Sequence, residues 1–304
     1  MEVIVEVSGL KKRFGSVCAV EGLDLTVERG DVFGFLGPNG AGKSTTIRIM
    51  VGLVRPSGGT VRLFGRDVWH DRVRALSKVG ALVESPGFYK YLSARQNLWL
   101  LSELSGGVKR EAIELALARV SLEGRADDKV KTYSHGMLQR LGIAQALVSE
   151  PDLLILDEPT SGLDPQGMKE VRELILSLAR DHGLTVFLSS HLLHEVEQVC
   201  TKVAVIHRGK KMAAGPVSDL LHSRKTLRIS VGRPAEAAAA LERLNCAQVC
   251  EVTADSIVVE ADDSRAAEVN RALVMGDFDV SAIVPETMSL EEFYFSLVRS
   301  EDLH

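Results

Sequence analysis

One decapeptide limits what this chain can fold into: Leu36-Gly37-Pro38-Asn39-Gly40-Ala41-Gly42-Lys43-Ser44-Thr45. It fits the pattern G-x-x-x-x-G-K-[ST], with Gly37 and Gly42 framing the loop and Lys43-Ser44 closing it. The run Asp31-Val32-Phe33-Gly34-Phe35-Leu36 before it reads as a short buried strand, and residues 45–51 after it read as a helix. Strand, glycine-rich turn and helix in that order is the context in which backbone N–H groups turn inward around phosphate oxygens. The helix N-terminus adds partial positive charge. Lys43 is assigned to the β- and γ-phosphates of a nucleoside triphosphate and Ser44 to Mg²⁺, with Gly37 to Thr45 as the cradle.

Leu153-Leu154-Ile155-Leu156-Asp157-Glu158 is an apolar run ending in two acids, the pattern of a fully buried parallel strand. Ligands in α/β sheets sit at the carboxyl ends of such strands. Asp157 is therefore assigned to Mg²⁺ through its water shell, and Glu158 to polarising a water against the γ-phosphate. Residues 184–190 read as a third such strand ending at His191, a γ-phosphate partner. Residues 79–84 read as another, with the carboxylate of Glu84 at its end. The segment of about 88–149 is dominated by helix formers, with Ser93 as an N-cap, and predicts a helical insert. Near the N-terminus, residues 3–7 and 17–27 are β-rich, with turns at Glu21-Gly22 and Arg29-Gly30. Phe14, on the Lys12–Gly15 loop between them, is a candidate to stack on adenine, although such a residue taken alone is more often core.

A break is expected near Gly215-Pro216, dividing the 304 residues into parts 1–220 and 221–304. Beyond residue 225 the pattern reads strand, helix, strand, strand, helix, strand, with one further helix. That order predicts a small α+β ferredoxin-like unit without a phosphate loop, metal spacing or nucleophile, and so an accessory role. The net charge of −5 gives no electrostatic reason to expect nucleic acid. Cys18, Cys200, Cys246 and Cys250 are too scattered for a disulfide scaffold or a zinc site, and read as reduced thiols. No apolar run reaches the roughly 18 residues needed to span a bilayer, so any work at a membrane is expected from its aqueous side.

The phosphate loop and the Asp157-Glu158 strand alone fit many ATPases, but three further stretches narrow the choice. Tyr133-Ser134-His135-Gly136-Met137-Leu138-Gln139-Arg140 stands where the ATP-binding subunits of ABC transporters carry their signature, usually L-S-G-G-Q-x-Q-R. Ser161-Gly162-Leu163-Asp164 directly follows Glu158-Pro159-Thr160 and matches the D-loop of that family. His191 matches its switch histidine, and Glu84 stands where its Q-loop glutamine usually does. Residues 1 to about 220 therefore resemble an ABC-type ATPase: a RecA-like core, an antiparallel β part and a helical insert.

The resemblance implies ATP and Mg²⁺ as ligands, with Ser44, Glu84 and Asp157 toward the metal and Glu158, His191 and Glu84 in catalysis. It implies that Ser134, Gly136 and Asp164 serve a nucleotide shared with a second ATP-binding subunit, and that a separate membrane permease is the working partner. The expected location is the cytoplasmic face of the membrane. Residues 84–89 and the Tyr-Ser-x-Gly-Met segment look like the branch of bacitracin and lantibiotic export or self-immunity. The alternative, a non-transport ABC ATPase on ribosomes or DNA, fits less well with a single phosphate loop and no sustained heptads.

Overall fold

The computed structural model describes all residues except 1, 85, 105, 222–224, 245–246, 262–264, 288 and 302–304. The chain divides into two compact units, Met1–Val217 and Ser218–His304.

In the first unit the strands are β1 (Val3–Phe14), β2 (Val17–Glu28), β3 (Val32–Leu36), β4 (Gly58–Leu63) and β5 (Arg66–Asp67). They continue with β6 (Val79–Leu82), β7 (Leu153–Asp157), β8 (Thr185–Ser190), β9 (Lys202–His207) and β10 (Lys210–Pro216). Four of them form an antiparallel sheet in the order β2-β1-β4-β5. The other six form a sheet in the order β10-β9-β3-β8-β7-β6, parallel except for the edge strand β10. Every residue of β3, β7 and β8 is buried, which is why these strands read as continuous apolar runs instead of alternating ones. Phe33 and Phe187 stack across β3 and β8 with ring centroids 5.6 Å apart. Because these strands run the same way, Gly37, Asp157-Glu158 and Ser190-His191 all emerge at one edge of the sheet.

The helices of this unit are α1 (Lys43–Met50), α2 (Arg72–Leu76), α3 (Ala94–Glu103), α4 (Arg110–Arg119), α5 (His135–Leu147), α6 (Pro165–His182) and α7 (Leu193–Val199). The insert is α3 to α5. Ser93 caps α3 by accepting the Gln96 N–H at 3.2 Å while the Gln96 side chain accepts the Ser93 N–H at 2.9 Å, a reciprocal capping box.

Three local expectations change. Glu21-Gly22 is a bulge and not a turn: Leu10 faces Leu23 and Lys11 faces Glu21, leaving Gly22 as the extra residue at φ 69°. Phe14 ends β1 and does not lie on a loop. Gly215 and Pro216 still pair with Val203 and Lys202, so the chain leaves the sheet only after Pro216.

The boundary falls at α8 (Val217–Leu221). Beyond it lie β11 (Lys225–Val231), α9 (Pro234–Arg243), β12 (Gln248–Val252), β13 (Ser256–Glu260), α10 (Ala266–Met275), β14 (Val280–Thr287) and α11 (Leu290–Glu301). The strands form an antiparallel sheet in the order β12-β13-β11-β14, the ferredoxin-like arrangement. Leu227, Ile229 and Val231 from its first strand pack with Leu241 of α9 and Val269 and Leu273 of α10 to make a separate core. Cys18, Cys200 and Cys250 are free thiols, and Cys246 lies outside the described residues.

Candidate active site at the ends of the parallel strands

The phosphate loop owes its path to three glycines. Gly42 sits at φ 104° and Gly40 at φ 80°, in the left-handed region where a side chain is costly. A Cβ on Gly37 would lie 2.4 Å from the Ile206 carbonyl oxygen, so the loop passes too close to β9 for any other residue. No side chain accepts the first N–H groups of α1, since its cap is Gly42. Those N–H groups are therefore available to an anion. Pro38, Asn39 and Gly40 are exposed at the tip, Ala41 is buried beneath it, and Ser44 and Thr45 are half-buried in the first helical turn.

Lys43, only 5% exposed, donates to the Gly37 carbonyl at 2.8 Å and the Pro38 carbonyl at 3.3 Å. It also pairs with the Glu158 carboxylate at 3.1 Å. A buried ammonium needs such partners, and all three are oxygen acceptors.

Asp157 ends β7 and is 8% exposed. Its carboxylate accepts the Ser189 hydroxyl at 2.6 Å, and the same hydroxyl accepts the Glu158 N–H at 3.0 Å. Ser189 thus fixes both acids, a role that sequence reading did not assign. Its signal was a polar pair, Ser189-Ser190, closing an otherwise apolar strand. Glu158 has φ 50°, a conformation costing a non-glycine residue about 1–3 kcal/mol and concentrated at functional sites. Its carboxylate lies 2.6 Å from His191 Nδ1. Lys43, Asp157, Glu158, Ser189 and His191 therefore form one connected polar cluster.

The other expected residues divide. Phe14 is 50% exposed, with the Lys12 ammonium over its ring, 4.6 Å from the centroid. Glu84, at φ 69° beyond β6, is paired with Arg48 of α1. Its polar partner among the described residues is this guanidinium, 36 residues earlier in the chain. Ser134 caps α5, accepting the Met137 N–H at 3.2 Å. Gly136 lies inside the first turn of that helix and not ahead of it, so its N–H is one of the helix's unpaired donors. Asp164 caps α6 by accepting the Gly167 N–H at 3.1 Å. The signature turn and D-loop are neighbours in the same chain, a Cβ on Gly162 falling 3.9 Å from His135 Cε1. Among the described residues no group of three or more His, Cys, Asp or Glu side chains gathers as a metal cage.

Residues 20–161 match the family described as ABC transporter. The chain is 40% identical over 300 residues to the bacitracin transport ATP-binding protein BcrA of Bacillus licheniformis, with 98% of each chain covered. The chain belongs to the ABC transporter ATP-binding proteins. It is 37% identical over 299 residues to BcrA of Enterococcus faecalis, covering 98% of this chain and 97% of the relative. These alignments run through both compact units, and both relatives fit the bacitracin branch to which the Glu84 and Tyr133–Met137 segments pointed. Among solved structures, cbiO1 from Clostridium perfringens, part of the ABC transporter complex cbiONQ, superposes with a TM-score of 0.67. That match is at 25% identity and covers 81% of this chain and 97% of the other. As a family member the chain binds nucleotide and is an ATPase. The reading as a ribosome- or DNA-directed ATPase is set aside. No described helix is long and apolar enough to cross a membrane.

Proposed function

We propose that this ABC ATPase powers export of a bacitracin-like peptide antibiotic through a separate membrane permease, from the cytoplasmic face of the membrane. The observation that carries its chemistry is the cluster of Lys43, Asp157, Glu158, Ser189 and His191 against the uncapped start of α1. The antibiotic class rests on the full-length similarity to the two BcrA proteins. We assign residues 1–220 to the ATPase part and 221–304 to an accessory part without its own phosphate loop.

ATP docks with its β- and γ-phosphates on the Gly37–Ser44 loop and its adenine against Phe14. Lys43 exchanges the Gly37 and Pro38 carbonyls and the Glu158 carboxylate for phosphate oxygens. Glu158 is thereby released from its ammonium partner at the moment substrate arrives, and becomes free to accept a proton from the attacking water. His191, 2.6 Å from that carboxylate, holds its orientation. Ser44 and Asp157 are hard oxygen donors beside the loop, and their chemistry fits a Mg²⁺ that keeps phosphate and water ligands. Ser44 would hold the ion directly and Asp157 through water, and the ion would neutralise charge on the β- and γ-phosphates.

The signature turn at Ser134 and Gly136, with Asp164 of the D-loop beside it, is assigned to the ATP held by a second copy of this chain. Two copies head to tail make two such sites. Exposed Tyr89 and Tyr91, just after Glu84, are assigned to the groove that receives the permease. No nucleic acid and no zinc enter this scheme.

The test is ATP turnover by purified Glu158→Gln. A fall of about 10²–10⁴-fold with ATP binding retained is expected for loss of a general base. Unchanged turnover removes Glu158 from that role. Co-purification with a multi-span protein lacking its own ATPase tests the permease.

A further inference from the structure

Two glutamates stand in the left-handed region beyond neighbouring parallel strands, Glu84 after β6 at φ 69° and Glu158 after β7 at φ 50°. Leu82 faces Leu156 in the register of those strands, so Glu84 and Glu158 occupy equivalent positions two residues further on. Each is paired with a cation from α1: Glu158 with Lys43, its first residue, and Glu84 with Arg48, five residues later. Ser44 and Arg48 are spaced i, i+4 and so share one face of that short helix. One helix thus supplies a cation to each of two neighbouring strand-end carboxylates.

The Arg48–Glu84 pair is a poor device for stability. Arg48 is 39% exposed and Glu84 65%, and solvent-exposed pairs contribute little to folding. Its effect is local charge. Glu84 adds a third carboxylate to an edge that already holds Asp157 and Glu158 and that must receive a polyanion. We propose that Arg48 is a positioning residue for ATP hydrolysis, holding the Glu84 carboxylate and offsetting its charge so that a glutamate is tolerated there. This rests on the assignment of the strand-end cluster to ATP, and specifically on Glu84 lying within electrostatic reach of the γ-phosphate. It assigns Arg48 and Glu84 to one functional unit, in which the arginine matters because the acid is present.

The experiment is steady-state ATP turnover by the full chain and by Arg48→Ala, Arg48→Lys, Glu84→Gln and the double variant Arg48→Ala/Glu84→Gln. Arg48→Ala is expected to lower kcat/KM about three- to fivefold, the scale of one solvent-screened charge within a few ångströms of a phosphate. Arg48→Lys should recover most of that loss, since a point charge suffices to offset a carboxylate. The double variant should match Glu84→Gln within about twofold, because coupled residues are non-additive. A merely structural Arg48 predicts the reverse, an equal loss in both backgrounds, and that result overturns the proposal. If Glu84→Gln changes kcat or KM while Arg48→Ala does not, Arg48 has no such role although Glu84 is at the site. If neither substitution changes either constant, the placement of Glu84 near the nucleotide fails, and the role of Arg48 with it.

Discussion

Two helices of the first unit begin in opposite ways. α1 starts at Gly42, with no side chain accepting its leading N–H groups, and is walled by Lys43, Glu158 and the buried Ala41 of its own chain. α5 starts at Ser134, whose hydroxyl already accepts the Met137 N–H, and its first turn is turned outward, with Ser134 and His135 exposed. The first N-terminus is incomplete as a helix end and built to take an anion deeply. The second has one leading N–H already capped and offers its remaining donors to an anion brought from outside. The difference separates affinity from turnover: a single chain should bind ATP through α1, and hydrolysis should wait for the α5 turn of another copy.

Lys43→Ala strikes the first helix and should give the largest effect. It removes the buried cation that phosphate oxygens recruit, so turnover should fall about 10²–10³-fold, the scale of losing one preorganised charge donor. Equilibrium binding of ATP should weaken with it. Ser134→Ala strikes the second helix. Turnover should fall about 10–100-fold, as for a lost hydrogen bond to a charged group, while ATP affinity of the dilute chain stays unchanged. Loss of the cap should also cost about 1 kcal/mol of stability, readable in denaturant melts.

Mixing the two proteins separates the half-sites further. In a mixed head-to-tail pair, one site carries both defects and the other carries neither. Random pairing makes about half the dimers mixed with one of two sites intact, so turnover should recover to about a quarter of the unsubstituted level. No recovery on mixing would place the α5 turn and the phosphate loop in service of the same chain's nucleotide.

The contrast between the helices was only partly legible in the sequence. The loop, Asp157, Glu158 and His191 were readable because buried parallel strands write themselves as apolar runs and the residue after each run must fall at one edge. The antiparallel order of the second unit followed from its strand–helix alternation in the same way. What was not legible depends on partners distant in sequence. Gly22 reads as a turn in isolation and becomes a bulge only because β1 supplies Leu10 and Lys11 opposite it. Ser189 becomes the hub of two acids only because β8 lies beside β7. Glu84 stands at the ligand edge as its strand register dictates, but its guanidinium partner comes from a helix 36 residues earlier.

The smallest effect expected belongs to Phe14, and it tests whether the base as well as the phosphates belongs to the α1 half. The ring ends β1, half exposed and backed by the Lys12 ammonium, so a base stacked on it would bury apolar area that is now wet. An aromatic contact of this kind contributes about 0.5–1.5 kcal/mol, so Phe14→Ala should weaken ATP binding about two- to tenfold. Phe14→Tyr keeps the stacking face and should bind ATP as the unsubstituted chain does. Because the contact is made by the chain that holds the phosphates, the loss should appear in the dilute protein and should not vary with protein concentration. Turnover at saturating ATP should be unaffected, since stacking on the base is equal in ground and transition states. A Phe14→Ala protein with normal affinity when dilute, but weakened binding when concentrated, would move the base contact to the partner copy and leave the phosphate loop alone as the intrachain half.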